Sequence, residues 1–251
     1  MSPANTIGVD TSSFQSLLTP GRDPVDALVD AVTACGARAC ELLAPQIEPS
    51  FGGRHAGHGS MAGMTPQMMR RELRKWRLRT PPRYFHEIAA RFQKAGVAIR
   101  AYRYHPDASF TDEEVAYGVK MAKALGASLL TASAGDGVAR RFAPAAAEQR
   151  MTVAFDGDGA LEAIRVSPSF KMVVDAAQLP AGVNAADYVR AHHADVAVLR
   201  MGCGTAEGER RQAVSVIEQG GWPIAVFLAL DGAAASPVDE MKRCLAALRA
   251  G

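Results

Sequence analysis

The chain is short of net charge, of cysteine and of long apolar runs, and each shortage removes a class of function. Twenty-eight lysines and arginines against 26 acids leave a formal charge of +2. That is too small to argue for nucleic acid or an anionic membrane as a partner. The basic cluster Arg70-Arg71, Arg74-Lys75, Arg77 and Arg79 is local, and it reads as a solvated helix face. No stretch approaches the roughly 20 apolar residues of a membrane span. The N-terminus shows no basic-then-apolar signal segment. Cys35, Cys40, Cys203 and Cys244 have no paired metal spacing such as Cys-x2-Cys. Free thiols in a reducing compartment, with cytoplasm as the default, are the expectation. Ser-His-Asp order, a nucleophile elbow and a Walker motif are all missing.

What is present is a rhythm. Eight short apolar runs end in polar or glycine residues and hand over to helix-like stretches: Ile7–Val9, Ala39–Leu43, Val97–Tyr102, Ser128–Ala132, Thr152–Phe155, Met172–Val174, Val196–Leu199 and Ile224–Leu230. Strands alternating with helices imply parallel pairing through right-handed crossovers. Eight such units in 251 residues fit one closed (β/α)8 TIM barrel, typically about 250 residues. No Pro/Ser-rich linker divides the chain, so residues 1–251 are read as one α/β domain. Such a barrel carries its chemistry at the C-terminal ends of the strands.

Helix punctuation supports the reading. Asp23-Pro24 opens the first helix and Gly36 closes it. Thr111 with Glu114 reads as a capping box, and Gly126 as the stop of that helix. The interval between the second and third strands is unusually long. It includes the glycine-rich stretch Phe51–Gly59, either a lid on the catalytic face or a decorative insertion. A long βα loop is expected at about 50–80.

The strand ends present Asp10, Glu41, Tyr102 with Tyr104 and His105, Thr131 with Ser133, and Asp156 with Asp158. Asp175 and Gln178, Arg200 and Asp231 complete the ring. Carboxylates converging on one mouth can bind a cation or act as an acid/base pair, and any one of them can equally be a helix cap. Gly202 and Gly204, flanking Cys203, can form a backbone anion nest after strand seven, or a plain turn. His55-x2-His58 lies among glycines with no nearby carboxylate, which argues against a metal pair. His192-His193 falls opposite the strand C-termini and reads as structural.

Several segments resemble the xylose isomerase-like barrel superfamily. They are Glu41–Pro45, Arg74–Leu78 around Trp76, Phe110–Glu114, Met121–Ala127 and Thr131–Ser133. The closer resemblance is to bacterial proteins described as sugar phosphate isomerase/epimerase, and it covers nearly the whole chain. It implies a divalent metal (Mn, Mg, Co or Zn) at the barrel mouth and proton transfer between adjacent sugar carbons. The second half departs from that pattern. Asp156-Gly157-Asp158 stands where the subgroup has His-Gly-His, and Gln178 replaces a histidine. Arg200-Met201-Gly202-Cys203 replaces His-Leu-Lys-Asp, and the apolar run Phe227–Leu230 leaves only Asp231 near a ligand glutamate position. Asp175 alone matches in type.

A guanidinium cannot ligate a cation, because it offers no lone pair and stays protonated. The expectation is therefore a site without a metal cofactor. Arg200 pairs with Asp175 or Asp156, or binds a substrate anion or carbonyl electrostatically. Glu41, Asp156, Asp175 and Arg200 are the expected catalytic set. Trp76, Tyr102, Tyr104, His105, Asp158, Gln178, Gly202, Gly204 and Asp231 are the expected substrate contacts. Trp76 in particular is placed over the mouth, where sugars stack. The function read from this is a carbohydrate or sugar phosphate isomerase/epimerase. The alternative is a non-catalytic barrel that binds a sugar or supports a partner subunit. A nucleic-acid repair barrel would need a multi-histidine metal cluster and a basic face, and a homo-oligomer is left open.

Overall fold

The computed structural model describes residues 7–49, 64–135 and 137–249. Eight parallel strands close on themselves in chain order, the last pairing with the first. They are β1 (Ile7–Asp10), β2 (Ala39–Leu43), β3 (Ala98–Arg103), β4 (Leu129–Ser133), β5 (Thr152–Asp156), β6 (Phe170–Asp175), β7 (Val196–Gly202) and β8 (Ala225–Ala229). Every apolar run became a strand, its ends displaced by three residues at most. The largest displacement is at β7, which continues through Arg200 to Gly202 and so carries the arginine inside the strand. The fold is a single closed (β/α)8 barrel.

The helices wrap outside. They are α1 (Pro24–Ala34), α2 (Ala44–Ile47), α3 (Pro66–Arg79), α4 (Pro82–Lys94), α5 (Asp112–Ala124), α6 (Val138–Gln149), α7 (Ala160–Ala163), α8 (Ala185–His192), α9 (Glu207–Gly220) and α10 (Pro237–Arg249). Their punctuation follows the sequence. Asp23 caps α1 by accepting the N–H groups of Val25 and Asp26 at 2.8 and 3.0 Å. Thr111 and Glu114 exchange reciprocal bonds at the start of α5. Gly36, Gly96 and Gly126 end α1, α4 and α5 in the left-handed region that favours glycine. The long interval after β2 resolves into α3 and α4, so its second half is helical rather than loop. The glycine-rich stretch and His55-x2-His58 lie outside the described residues.

Alternation along each strand sorts side chains to two sides. Ala101, Ala154, Val173, Val198, Ala225 and Phe227 form an inner cluster within the barrel. Their neighbours Tyr102, Leu130, Phe155, Val174, Leu199 and Leu228 belong to the larger core under the helices. Gly118 on α5 gives Tyr104 its room, since a Cβ there would run into the ring.

Two expectations fail here. The face of α3 is only partly solvated, because Arg77 is buried and paired through two hydrogen bonds of 2.7 Å with Glu48. It also reaches Glu114, which α5 presents from the other side. The four cysteines are not all free either. Cys203, just beyond β7, is joined to Cys244 of α10 in a disulfide with Cα atoms 5.7 Å apart. The return of α10 across the end of β7 brings them together over 41 residues of chain, which no local spacing announces. Cys35 and Cys40 are buried, and the Cys35 thiol donates to the Val32 carbonyl at 3.1 Å. No helix among the described residues is long and apolar enough to cross a membrane.

Candidate active site at the barrel mouth

The C-terminal strand ends build a dense ionic cluster. Glu41, fully buried, is held by Arg200 from across the barrel: Nε donates to Oε2 at 3.0 Å and Nη2 to Oε1 at 2.8 Å. Thr131 Oγ1 donates to the same Oε1 at 2.6 Å. Arg103 of β3 sends Nη2 to both Glu41 Oε2 and Asp10 Oδ2. Asp10 also caps the turn after β1 by accepting the Ser12 N–H at 2.8 Å. The remaining arm of Arg200, Nη1, donates to Asp156 Oδ2 at 2.8 Å.

Asp156 links this buried cluster to the open rim. Ser133 Oγ donates to its Oδ1 at 2.9 Å. His105 lies alongside, with Nε2 3.7 Å from Asp156 Oδ2 and Nδ1 3.4 Å from Ser133 Oγ. The His105 side chain is 40% exposed and Asp156 18%, so a ligand entering the mouth meets both.

Electrostatics divides these groups. Burial is the largest influence on Glu41 and pushes its carboxyl up. The charges of Arg200 and Arg103, with hydrogen bonds from Arg200 and Thr131, together outweigh it and hold the group at about 2. Glu41 is therefore an anion at any ordinary pH. Burial disfavours the Arg200 cation, but Glu41 and Asp156 more than offset this, and Arg200 is raised above its usual value. For His105, partial desolvation is the largest influence and lowers it; Asp156 opposes, while Arg103 and Arg200 add to the lowering. The imidazole is neutral at pH 7.

The sequence expected Asp175 or Asp156 as the partner of Arg200, and it is Asp156. Asp175 is beside Arg200 in the sheet register but turns to its own 3-10 turn. It accepts the Ala177 N–H at 3.0 Å and Gln178 Nε2 at 3.3 Å. Gln178 is thereby a partner of Asp175 on the exposed rim, and Asp158 stands exposed on the turn after β5.

Other expected contacts are corrected. Tyr102 and Tyr104 cannot touch a ligand in the mouth, because both are buried on the helix side of the sheet. Their hydroxyls go to Met121 sulfur at 3.9 Å and the Glu114 carbonyl at 3.0 Å. Trp76 packs edge-on against Tyr84 and Phe85, with ring centroids 5.6 and 6.2 Å away. It borders a groove shared with Pro45, Gln46 and Tyr84, whose lining includes neither Glu41 nor Arg200. The expected anion nest is occupied from within: Asp231 accepts the Gly204 N–H, and its carboxylate fills the space a side chain at Gly202 would need.

Arg103 is the residue that strand-end reading missed. The signal was available as alternation: with Tyr102 and Tyr104 facing the helices, Arg103 between them must face the barrel axis. A divalent cation does not fit these residues. Both oxygens of Glu41 already accept N–H or O–H donors, and two guanidinium charges stand where a cation would bind. Among the described residues no three His, Cys, Asp or Glu side chains converge on a metal-sized point.

No protein-family profile and no curated protein matches the chain. Solved structures do match it over nearly full length. An uncharacterised protein from Parabacteroides distasonis ATCC 8503 superposes with a TM-score of 0.66 at 15% identity, covering 98% of both chains. A sugar phosphate isomerase/epimerase from the same organism gives 0.63 at 11%, covering 99% of this chain and 97% of that one. The 3-keto-D-glucoside 4-epimerase of E. coli gives 0.64 at 11%, covering 98% and 99%. At these identities the likeness is one of fold.

Proposed function

We propose that the mouth binds a sugar derivative through Arg200 and transfers a proton on it, as an isomerase or epimerase, without a divalent metal. The observation that carries this is the position of Arg200. It is fixed by Glu41, joined to Asp156, and next to a neutral, half-open histidine. Three of its five N–H donors go to those two carboxylates, which leaves two for a carbonyl or acid oxygen of a ligand.

The chemistry follows from those groups. A sugar carbonyl hydrogen-bonded to Arg200 has its neighbouring C–H acidified. His105, neutral at pH 7, accepts that proton, and the C=O becomes an enediolate oxygen facing the Arg200 and Arg103 charges. Return of the proton from His105 to the adjacent carbon, with the hydroxyl proton passing to the former carbonyl oxygen, gives an isomer; a proton supplied by water to the opposite face, with His105 releasing its own to solvent, gives an epimer. Glu41 is too weak a base for this step, so its role is to anchor Arg200. Asp156 orients His105 and Arg200 together. Two fold neighbours, a sugar phosphate isomerase/epimerase and a keto-glucoside epimerase, support the substrate class. The cytoplasmic placement expected from sequence sits uneasily with the disulfide, since such bonds are rare in reducing compartments.

A second reading has its own support. Because Glu41 is wholly committed to its ion pairs, the mouth can bind a sugar without turning it over. The test is exchange of carbon-bound hydrogen with D2O, read by NMR on a panel of keto sugars and their phosphates, beside calorimetric titration. Exchange that disappears in His105→Ala while binding persists supports catalysis, and its rate should fall in acid as His105 takes up a proton, at a pH below the ordinary histidine range because burial lowers the group. Binding without exchange supports the second reading, and neither binding nor exchange overturns both.

A further inference from the structure

The barrel has a second concavity at its other end. Beneath the strand N-termini lies a cavity of about 460 Å³ bordered by Arg100, Leu129, Lys171, Ala197, Trp222 and Ala225. This volume falls within the range of small-molecule sites. Barrel interiors are usually filled by bulky branched residues. Here β7 and β8 contribute Ala197 and Ala225 to the lowest layer, and the space stays open.

The walls are asymmetric in charge and rigid on one side. Arg100, Lys171 and His193 border the cavity, and no aspartate or glutamate does; Asp195, the nearest acid in sequence, is outside the lining. Lys171 Nζ donates to the Ala194 carbonyl at 2.7 Å, and among the described residues no carboxylate pairs with it. On the opposite wall the rings of His193 and Trp222 stack in parallel, centroids 4.1 Å apart and planes 12° apart. His193 Nδ1 lies 3.1 Å from the Arg190 carbonyl, which fixes the imidazole in place. Gly220 lies against the indole so closely that a Cβ would collide with it. The wall is thus clamped from both faces before any ligand arrives.

We propose that this lower cavity is a binding site for a small organic anion, a carboxylate or phosphate carried on a compact apolar body. The acid group lies against Lys171 and Arg100, and the body fills the space over Leu129, Ala197 and Ala225 beside the Trp222 wall. The His192-His193 pair, which reads as structural in the sequence, takes part through His193 as one edge of this site.

The experiment is calorimetric titration of the full chain with benzoate, phenyl phosphate and inorganic phosphate, and with uncharged benzamide as control. Benzoate or phenyl phosphate should bind saturably, and benzamide at least about tenfold more weakly. Lys171→Met should weaken the charged probes about ten- to a hundredfold, the range of one charge-assisted bond. Ala225→Leu should abolish binding by filling the cavity, and Arg200→Met at the mouth should leave it unchanged. The tighter of benzoate and phenyl phosphate identifies the acid group the site prefers. Equal affinity for benzoate and benzamide, no effect of Lys171→Met, or loss of binding in Arg200→Met would each overturn the proposal.

Discussion

Arg200 on β7 and Glu41 on β2 face each other across the barrel and meet in a two-bond pair, at 3.0 and 2.8 Å, with the carboxylate fully buried. Removing one member of such a pair costs far more than the pair contributes, because the survivor stays buried with its charge uncompensated. Arg200→Met leaves Glu41 with Arg103 and Thr131 as partners. The expected loss is therefore at the low end for buried pairs, about 3 kcal/mol. The double variant Arg200→Met, Glu41→Leu should recover to within about 1 kcal/mol of the parent, since apolar replacement of both partners is often neutral. Urea unfolding of the three proteins measures this. Equal stability of parent and single variant would mean that the pair is not buried in solution.

Glu41 also sets an acid limit. Its folded value of about 2 lies below its ordinary 4.5. The associated stability is complete above pH 4.5 and is lost as pH falls towards 2. Between pH 5 and pH 3 the loss from this one group is about 2 kcal/mol. Denaturant unfolding across that window should show the parent losing stability more steeply than Glu41→Gln by this amount. Parallel curves would place the carboxyl at an ordinary value.

The barrel was legible because its signal is repeated. Eight apolar runs and their capping residues all agree, so a misplaced boundary at β7 did not disturb the count. The site was legible only in part, because strand ends show which residues are near the mouth but not which way they point. Asp156, His105 and Arg200 face inward; Tyr102 and Tyr104, equally near in sequence, face the helices and are buried. Period-two alternation separates these sets, and applied to β3 it selects Arg103. Asp175 was misread for another reason. An aspartate ending a strand before a short turn can satisfy itself locally, and its bond to the Ala177 N–H does so. The disulfide and the Glu48–Arg77 pair depend on long-range packing, which leaves no trace in local spacing.

That buried pair makes the arginines of α3 unequal. Arg77 is held by Glu48 at 2.7 Å and by Glu114 at 3.3 Å, with its guanidinium 4.4 Å from the Phe110 ring centre. Arg77→Met strands the buried Glu48, while Glu114 keeps Arg74 at 2.8 Å, and should cost about 3–5 kcal/mol. Arg70→Ala and Arg71→Ala, at positions with no ion pair among the described residues, should change stability by less than about 0.5 kcal/mol. Thermal unfolding of the three variants decides between this and a uniformly solvated face, for which all three would behave alike.

The disulfide ties the end of β7 to α10, closing 41 residues of chain that include α9 and β8. Cross-linking reduces the conformational freedom of the unfolded chain, and for a loop of this size the entropy model gives about 4 kcal/mol as an upper figure. Relaxation and residual structure usually reduce it, so about 2–4 kcal/mol is expected. In a chain of this length each 1 kcal/mol moves Tm by about 2–4 °C. The variant Cys203→Ser, Cys244→Ser should therefore melt roughly 4–16 °C below the oxidised parent, and dithiothreitol should shift the parent by a similar amount while leaving the variant unmoved. Thiol titration of the unfolded, unreduced protein supplies the independent count. Two reactive thiols, Cys35 and Cys40, are expected, and four would show that Cys203 and Cys244 are not bonded in solution. The bond also borders the Gly204–Asp231 contact, which lies one residue beyond Cys203. Reduction should loosen that corner of the mouth first, so amide exchange of Gly204 should accelerate before that of β7 itself.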